Sequence, residues 1–75
     1  MLKGRVKFYN ATKGFGFVIE EWKSDDERGS FIHASVLEKM EEETGHPVVI
    51  KDGDLVEYEE NETEKGMNVV SIKLI

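Results

Sequence analysis

Lys13-Gly14-Phe15-Gly16-Phe17-Val18 and, further along, Phe31-Ile32-His33 decide how this 75-residue chain folds. In extended backbone, successive side chains point to opposite faces, so alternating Gly and Phe sends large rings one way and leaves the other face nearly bare. Phe31 and His33 share a face for the same reason. Two such strands side by side present a flat aromatic surface with a lysine at its edge. That surface suits unpaired nucleobases, because every base offers a π-face and the phosphates between bases need cations.

Working outward, Leu2-Lys3-Gly4-Arg5-Val6-Lys7-Phe8 alternates apolar and basic residues. Period two predicts a strand over 2–10 with its cations on one side. Asn10 to Gly14 reads as a turn and residues 15–22 as a second strand. The polar stretch 23–29 is a loop, and 30–34 a third short strand. Ser35 with Glu38 fits a capping box before Val36, Leu37 and Met40, which predicts a helical turn or two, broken by Glu41 to Pro47. Asp52-Gly53-Asp54 turns into a strand at 55–60, residues 61–66 loop, and 67–75 form a last strand. Five short strands with polar turns predict an all-β fold, a five-stranded antiparallel barrel of the OB type, as a single domain over 1–75.

Composition excludes several classes. A domain this small buries only about 60% of its unfolded surface. With no cysteine, neither a disulfide framework nor a Cys-based metal site can staple it. No apolar run approaches the ~20 residues of a membrane span, and no signal-peptide core is visible, so a cytoplasmic protein is expected. Gly14-Phe15-Gly16 lacks the third glycine and following helix of a dinucleotide fingerprint. His33 and His46 lack metal-ligand spacing among the carboxylates. No enzyme activity, metal or cofactor is expected. The acidic run from Glu57 to Glu64 reads as a solvated edge that discourages edge-to-edge pairing.

The net charge of −6 looks wrong for a nucleic-acid binder. It is unevenly spread: residues 1–14 hold Lys3, Arg5, Lys7 and Lys13 and no acid. Binding responds to the field within a Debye length, roughly 8 Å at physiological salt, more than to the total. A basic, aromatic front on an acidic body remains compatible with a polyanion, with weak and steeply salt-dependent affinity.

Period two alone would as readily bury Phe15 and Phe17 as expose them. Two observations favour exposure. Val6, Val18, Ile32, Leu37, Val49, Leu55, Val56, Val69, Ile72 and Leu74 already supply a small barrel's core. His33 shares the face of Phe31, and histidine is less often fully buried than the aliphatics. A contiguous exposed aromatic patch marks a binding site.

The stretches Gly4-Arg5-Val6-Lys7-Phe8-Tyr9-Asn10, Lys13 to Val18 and Ser30-Phe31-Ile32-His33-Ala34-Ser35 resemble the bacterial cold-shock proteins and their cold-shock domain. Asp52-Gly53-Asp54-Leu55-Val56-Glu57-Tyr58 and Gly66-Met67-Asn68-Val69 look like that family's fourth and fifth strands. RRM domains share the first motif, but they carry another aromatic where this chain has Glu20. They also need two helices and present their second motif before the first.

The resemblance implies a five-stranded barrel that binds single-stranded RNA or DNA. Phe15, Phe17, Phe31 and His33 would stack bases, and Phe8 occupies the place where the family usually has tryptophan. Lys7 and Lys13 would sit at phosphates, with Asn10 and Asp25 offering polar contacts. Trp22 and His46 are two further candidates: Trp22 either extends the aromatic surface or covers the barrel rim, and His46 stands near a missing phenylalanine. Ala34 replaces the family's aromatic after the histidine, and Glu41, Glu42 and Glu43 occupy a loop that usually offers Gly-Phe-Lys. These departures imply a weaker binder. The implied role is that of an RNA chaperone affecting translation or transcription, mostly as a monomer, with a strand-swapped dimer as the other arrangement. The rival reading is an OB module whose aromatic face docks a protein.

Overall fold

The computed structural model describes residues 1–24 and 26–75. Among them, five strands and one helix follow in the order β1 (Leu2–Asn10), β2 (Phe15–Glu20), β3 (Ser30–His33), α1 (Ala34–Thr44), β4 (Leu55–Thr63) and β5 (Gly66–Leu74). The strands close into a barrel in the order β1-β2-β3-β5-β4. The expected OB-type β-barrel is the observed fold. Its pairings are antiparallel except at the closing seam, where β3 runs parallel to β5 through the pair Phe31 and Asn68. No helix among the described residues is long and apolar enough to cross a membrane.

The first strand holds the feature that sets both faces of the sheet. Val6 lies opposite Val18, yet Phe8, two residues on, lies opposite Phe17, the immediate neighbour of Val18. Lys7 is thus an extra residue in β1, a β-bulge that reverses side-chain parity beyond it. Before the bulge Gly4 and Val6 are buried; after it Tyr9 packs against the core while Phe8 and Asn10 face out. Gly16 permits this bend. A Cβ there would stand 2.2 Å from the Phe8 carbonyl oxygen and 2.7 Å from the Tyr9 Cα.

A second irregularity acts likewise in β5. Glu59 faces Ser71 and Glu60 faces Val69, so Val70 is the extra residue. Val69 and Ile72, three positions apart, therefore both point inward. The core is built from Val6, Val18, Ile32, Leu37, Met40, Ile50, Val56, Tyr58, Val69 and Ile72. Burying each large aliphatic stabilises the fold by about 1.5–3 kcal/mol. Three expected core residues lie outside it. Leu55 alternates with Val56 and faces solvent, Leu74 ends β5 where the barrel runs out, and Val49 is exposed beside the buried Ile50. Tyr58, Met40 and Ile50 fill the core instead. Burial, with Glu60 and Glu20 adding to it, raises the Tyr58 hydroxyl well above its ordinary range and keeps it neutral.

Element ends depart from expectation at several places. β2 ends at Glu20, two residues early, and β3 runs into α1 without a linker. The cap is His33 rather than Ser35: its Nδ1 accepts from the Ser35 N–H at 3.1 Å. Glu41 to Thr44 continue the helix, since glutamate is a good helix former and the acids face water. Gly45 stops it in the left-handed region, φ 74°, donating to the Glu41 carbonyl. The loop expected over 61–66 shrinks to a tight turn, because Thr63 pairs with Gly66. Thr63 Oγ1 donates to the Gly66 carbonyl at 2.7 Å.

Gly16→Ala should therefore lower stability by about 2 kcal/mol or more, a melting point drop of roughly 8–16 °C for a domain of this size. Melting unchanged within a degree or two would show that β1 bends without help from Gly16.

Candidate nucleic-acid interface

Strand register assembles the rings. Phe8 faces Phe17 on β2, and Phe17 faces Phe31 on β3, which makes one row across three strands. Asn10 faces Phe15, and Phe15 faces His33, which makes a second row beside it. Ring centroids are 5.5 Å apart for Phe8 and Phe17, 5.8 Å for Phe17 and Phe31, and 5.9 Å for Phe15 and Phe31. His33 stands 6.5 Å from Phe31. Phe15, Phe17 and Phe31 are half-buried, Phe8 and His33 exposed, and none of the five belongs to the core cluster. The patch is thus contiguous and faces outward.

His33 carries two duties. Its Nδ1 accepts from the backbone of Ser35 and stands 3.0 Å from the Ser35 hydroxyl. Accepting at Nδ1 leaves Nε2 as the protonated nitrogen of the neutral ring. One edge of the ring is therefore held at the start of α1 while its far edge stays a donor. Tyr9, on the inner side of the same strand segment, has its hydroxyl pushed up by burial and further by Glu38 of α1.

Arg5 and Lys7 are spent differently from Lys13. Arg5 donates to the carbonyls of Glu21 and Lys23, at 3.0 and 2.9 Å, and Lys7 Nζ donates to the Glu27 carbonyl at 2.9 Å. Both tie down the segment after β2. Under that segment Ile19, on the ring side of β2, is 1% exposed yet outside the core cluster, with Gly29 against it. These bonds hold the backbone of Glu21, Lys23 and Glu27 against Arg5 and Lys7. Lys13 is exposed in the β1–β2 turn, where its backbone N–H donates to Asn10 Oδ1 at 3.0 Å. Asn10 thus builds the turn and keeps its amide nitrogen outward. Asp25, the remaining candidate of the loop, lies outside the described residues.

The two further candidates stand apart from the rings. Trp22 is 76% exposed and covers little of the barrel rim. Its Nε1–H donates to Glu20 Oε2 at 2.6 Å, and Lys23 Nζ lies 5.3 Å from its centroid. Among the described residues its indole makes no ring contact with the phenylalanines. His46 follows the helix C-cap, about 16 Å along α1 from His33. It lines a separate groove with Met1, Met40 and Leu74.

Barrel, motif order and ring register meet in one family. The sequence model of the 'Cold-shock' DNA-binding domain matches residues 2–75. The chain belongs to the cold-shock domain family. Membership implies nucleic-acid binding, in a family that binds single strands and is not enzymatic. Relatives match over nearly their whole length. The Cold shock-like protein of Thermotoga maritima is 32% identical over 75 residues, covering 99% of this chain and 98% of its own. The Cold shock-like protein CspE of Buchnera aphidicola subsp. Acyrthosiphon pisum is 35% identical over 74 residues, covering 95% and 96%. The Cold shock-like protein CspC of Escherichia coli K12 is 31% identical over 74 residues, covering 99% and 96%.

This cold-shock domain also carries outward-facing residues that sequence reasoning missed. Asn68 extends the row of Phe31 across the parallel seam, a neighbour no local pattern announces. Lys39 falls on the flank of α1 that faces the rings, and only a full helical period over 34–44 would have revealed it.

One inward residue of β3 and one outward residue of its neighbour β2 give a stability test. Ile32→Ala removes a fully buried core side chain and should cost about 2–5 kcal/mol. Phe17→Ala, on the outer face, should cost about 1 kcal/mol. Equal losses in thermal melts would return the rings to the core. Trp22, the single tryptophan, should emit as a water-exposed indole and shift little in wavelength on unfolding; a large red shift would mean it is covered in the folded state.

Proposed function

We propose that this protein is a non-catalytic binder of single-stranded RNA or DNA that stacks unpaired bases on Phe8, Phe15, Phe17, Phe31 and His33. One observation carries the reading: two rows of rings face water on three adjacent strands while the core is complete without them. Lys13 and Lys7 flank the rings as phosphate contacts, Lys7 by exchanging its bond to the Glu27 carbonyl. The amide of Asn10 and the His33 Nε2–H offer donors to base edges or sugars, with Asp25 as a further polar contact.

A surface that competes with base pairing lowers the free energy of open strands, which is the action of an RNA chaperone and a means of affecting translation or transcription. Phe8 in place of tryptophan, Ala34 in place of a ring and the acids of α1 support weak, fast-exchanging binding. We place the protein in the cytoplasm, as a monomer of one domain. The closed barrel leaves β4 beyond Tyr58 without a β1 partner, and Glu59, Glu60 and Glu62 on that stretch discourage pairing with a second copy.

Titrating an unstructured pyrimidine-rich oligonucleotide from about 50 to 300 mM salt should give a log–log slope of about −0.7 for each phosphate neutralised. Phe15→Ala and Phe17→Ala should each weaken binding by about 1–3 kcal/mol. Absence of binding at the lowest salt, with the rings capturing a protein instead, would favour the docking module.

A further inference from the structure

The row of Phe8, Phe17 and Phe31 does not end at β3. Across the seam Phe31 stands beside Asn68, and neighbours in paired strands point to the same face. Beyond Phe31 and His33 the surface dips into an open groove of about 420 Å³ between α1 and β5. Ser35, Val36 and Lys39 wall it from the helix, and Asn68 and Val70 from the strand. Val70 is the bulged residue of β5, outside the inward alternation, and this is why an aliphatic side chain lines the outer surface here. The volume falls within the roughly 300–1,000 Å³ usual for small-ligand sites.

The helix sorts its charges around this groove. Leu37 and Met40 fix the buried direction of α1. At 3.6 residues per turn, Ser35, Val36 and Lys39 then fall on one flank and Glu38, Glu41 and Glu42 on the other. The latter three line a separate depression with Gly45, on the side where Glu38 acts on Tyr9. Of the three acids that argue against phosphate, Glu41 and Glu42 are thus turned away from the groove. Glu43, four residues after Lys39, is the acid of the groove flank, one turn further from His33. Among the described residues Lys39 Nζ has no hydrogen-bond or ion-pair partner, and Glu43 does not reach it.

We propose that this groove is a subsite for one more nucleotide of the bound strand, continuing the ring surface past Phe31. The base lies against Val36 and Val70, the Asn68 amide meets its edge as both donor and acceptor, and Lys39 takes the adjoining phosphate. The subsite rests on the stacking reading above, since the strand must first lie on the rings.

The test uses labelled oligothymidylates of about three to eight nucleotides, a range that brackets the smallest OB-fold site sizes. The wild-type protein is compared with Lys39→Gln, Asn68→Ala and an off-site control, Lys65→Gln, which makes the same charge change in the exposed β4–β5 turn. Lys39→Gln should bind the shortest strands as the wild type does and lose the last gain with length, roughly three- to tenfold. Its salt slope should fall by about 0.7. Asn68→Ala should lose the same length step with its salt slope unchanged. A loss equal at every length, or matched by Lys65→Gln, would reduce Lys39 to a long-range charge and overturn the subsite. So would wild-type affinity for all lengths in both groove variants. Failure of the wild type to bind any oligothymidylate would overturn the stacking reading and the subsite together.

Discussion

A lysine with no partner in the β1–β2 ladder governs what this barrel shows to water. Side chains along a strand alternate strictly, so Val6 and Phe8 belong on one face unless the chain gains a residue between them. Lys7 is that residue. The reversal leaves Val6 in the core and turns Phe8 outward to meet Phe17, and it does so without lengthening any loop. The bend brings the β1 backbone so close to β2 that only hydrogen fits at Gly16. Half of the Gly-Phe alternation therefore serves the backbone and half serves the surface. The glycine is as much a part of the ring array as the phenylalanines.

This explains why some of the molecule was legible from its residues and some was not. Period-two stretches located all five strands, because a half-buried strand must alternate. The same rule counts Phe8 with Val6, whereas the structure has Phe8 exposed opposite Phe17. A one-residue bulge leaves no compositional trace except a glycine opposite, and Val70 has not even that. The start of α1 was displaced for a related reason. Ser35 and Glu38 match a capping pattern, but β3 feeds the helix directly and His33 already offers an acceptor. The run Glu41 to Glu43 looks like a break only if acidity is equated with loop; glutamate favours helix, and Gly45 makes the stop.

Charge is the property that sequence counting overstated. Four cations and no acid in the first fourteen residues suggest a uniformly basic front. In the fold, Arg5 and Lys7 spend donors on the backbone carbonyls of Glu21, Lys23 and Glu27, which holds the described residues of that loop to β1. The burial of Ile19 beneath that loop is what the arrangement gains. The guanidinium and ammonium keep their charge, but the donors they spend on carbonyls are donors a phosphate would otherwise take.

The closing seam has a dynamic consequence. β4 and β5 are laddered along their length, whereas β3 and β5 meet through Phe31 and Asn68. Backbone pairing is thinnest at that seam, which is where local excursions costing less than global unfolding are expected. Amides flanking that pair should lose hydrogen-exchange protection before those of the β4–β5 hairpin. The pair also lies between the ring rows and the groove under α1. Any molecule spanning the two binds the closed barrel alone, and by mass action it stabilises the closed state. The weakest joint of the cylinder would then be the one its ligand holds shut.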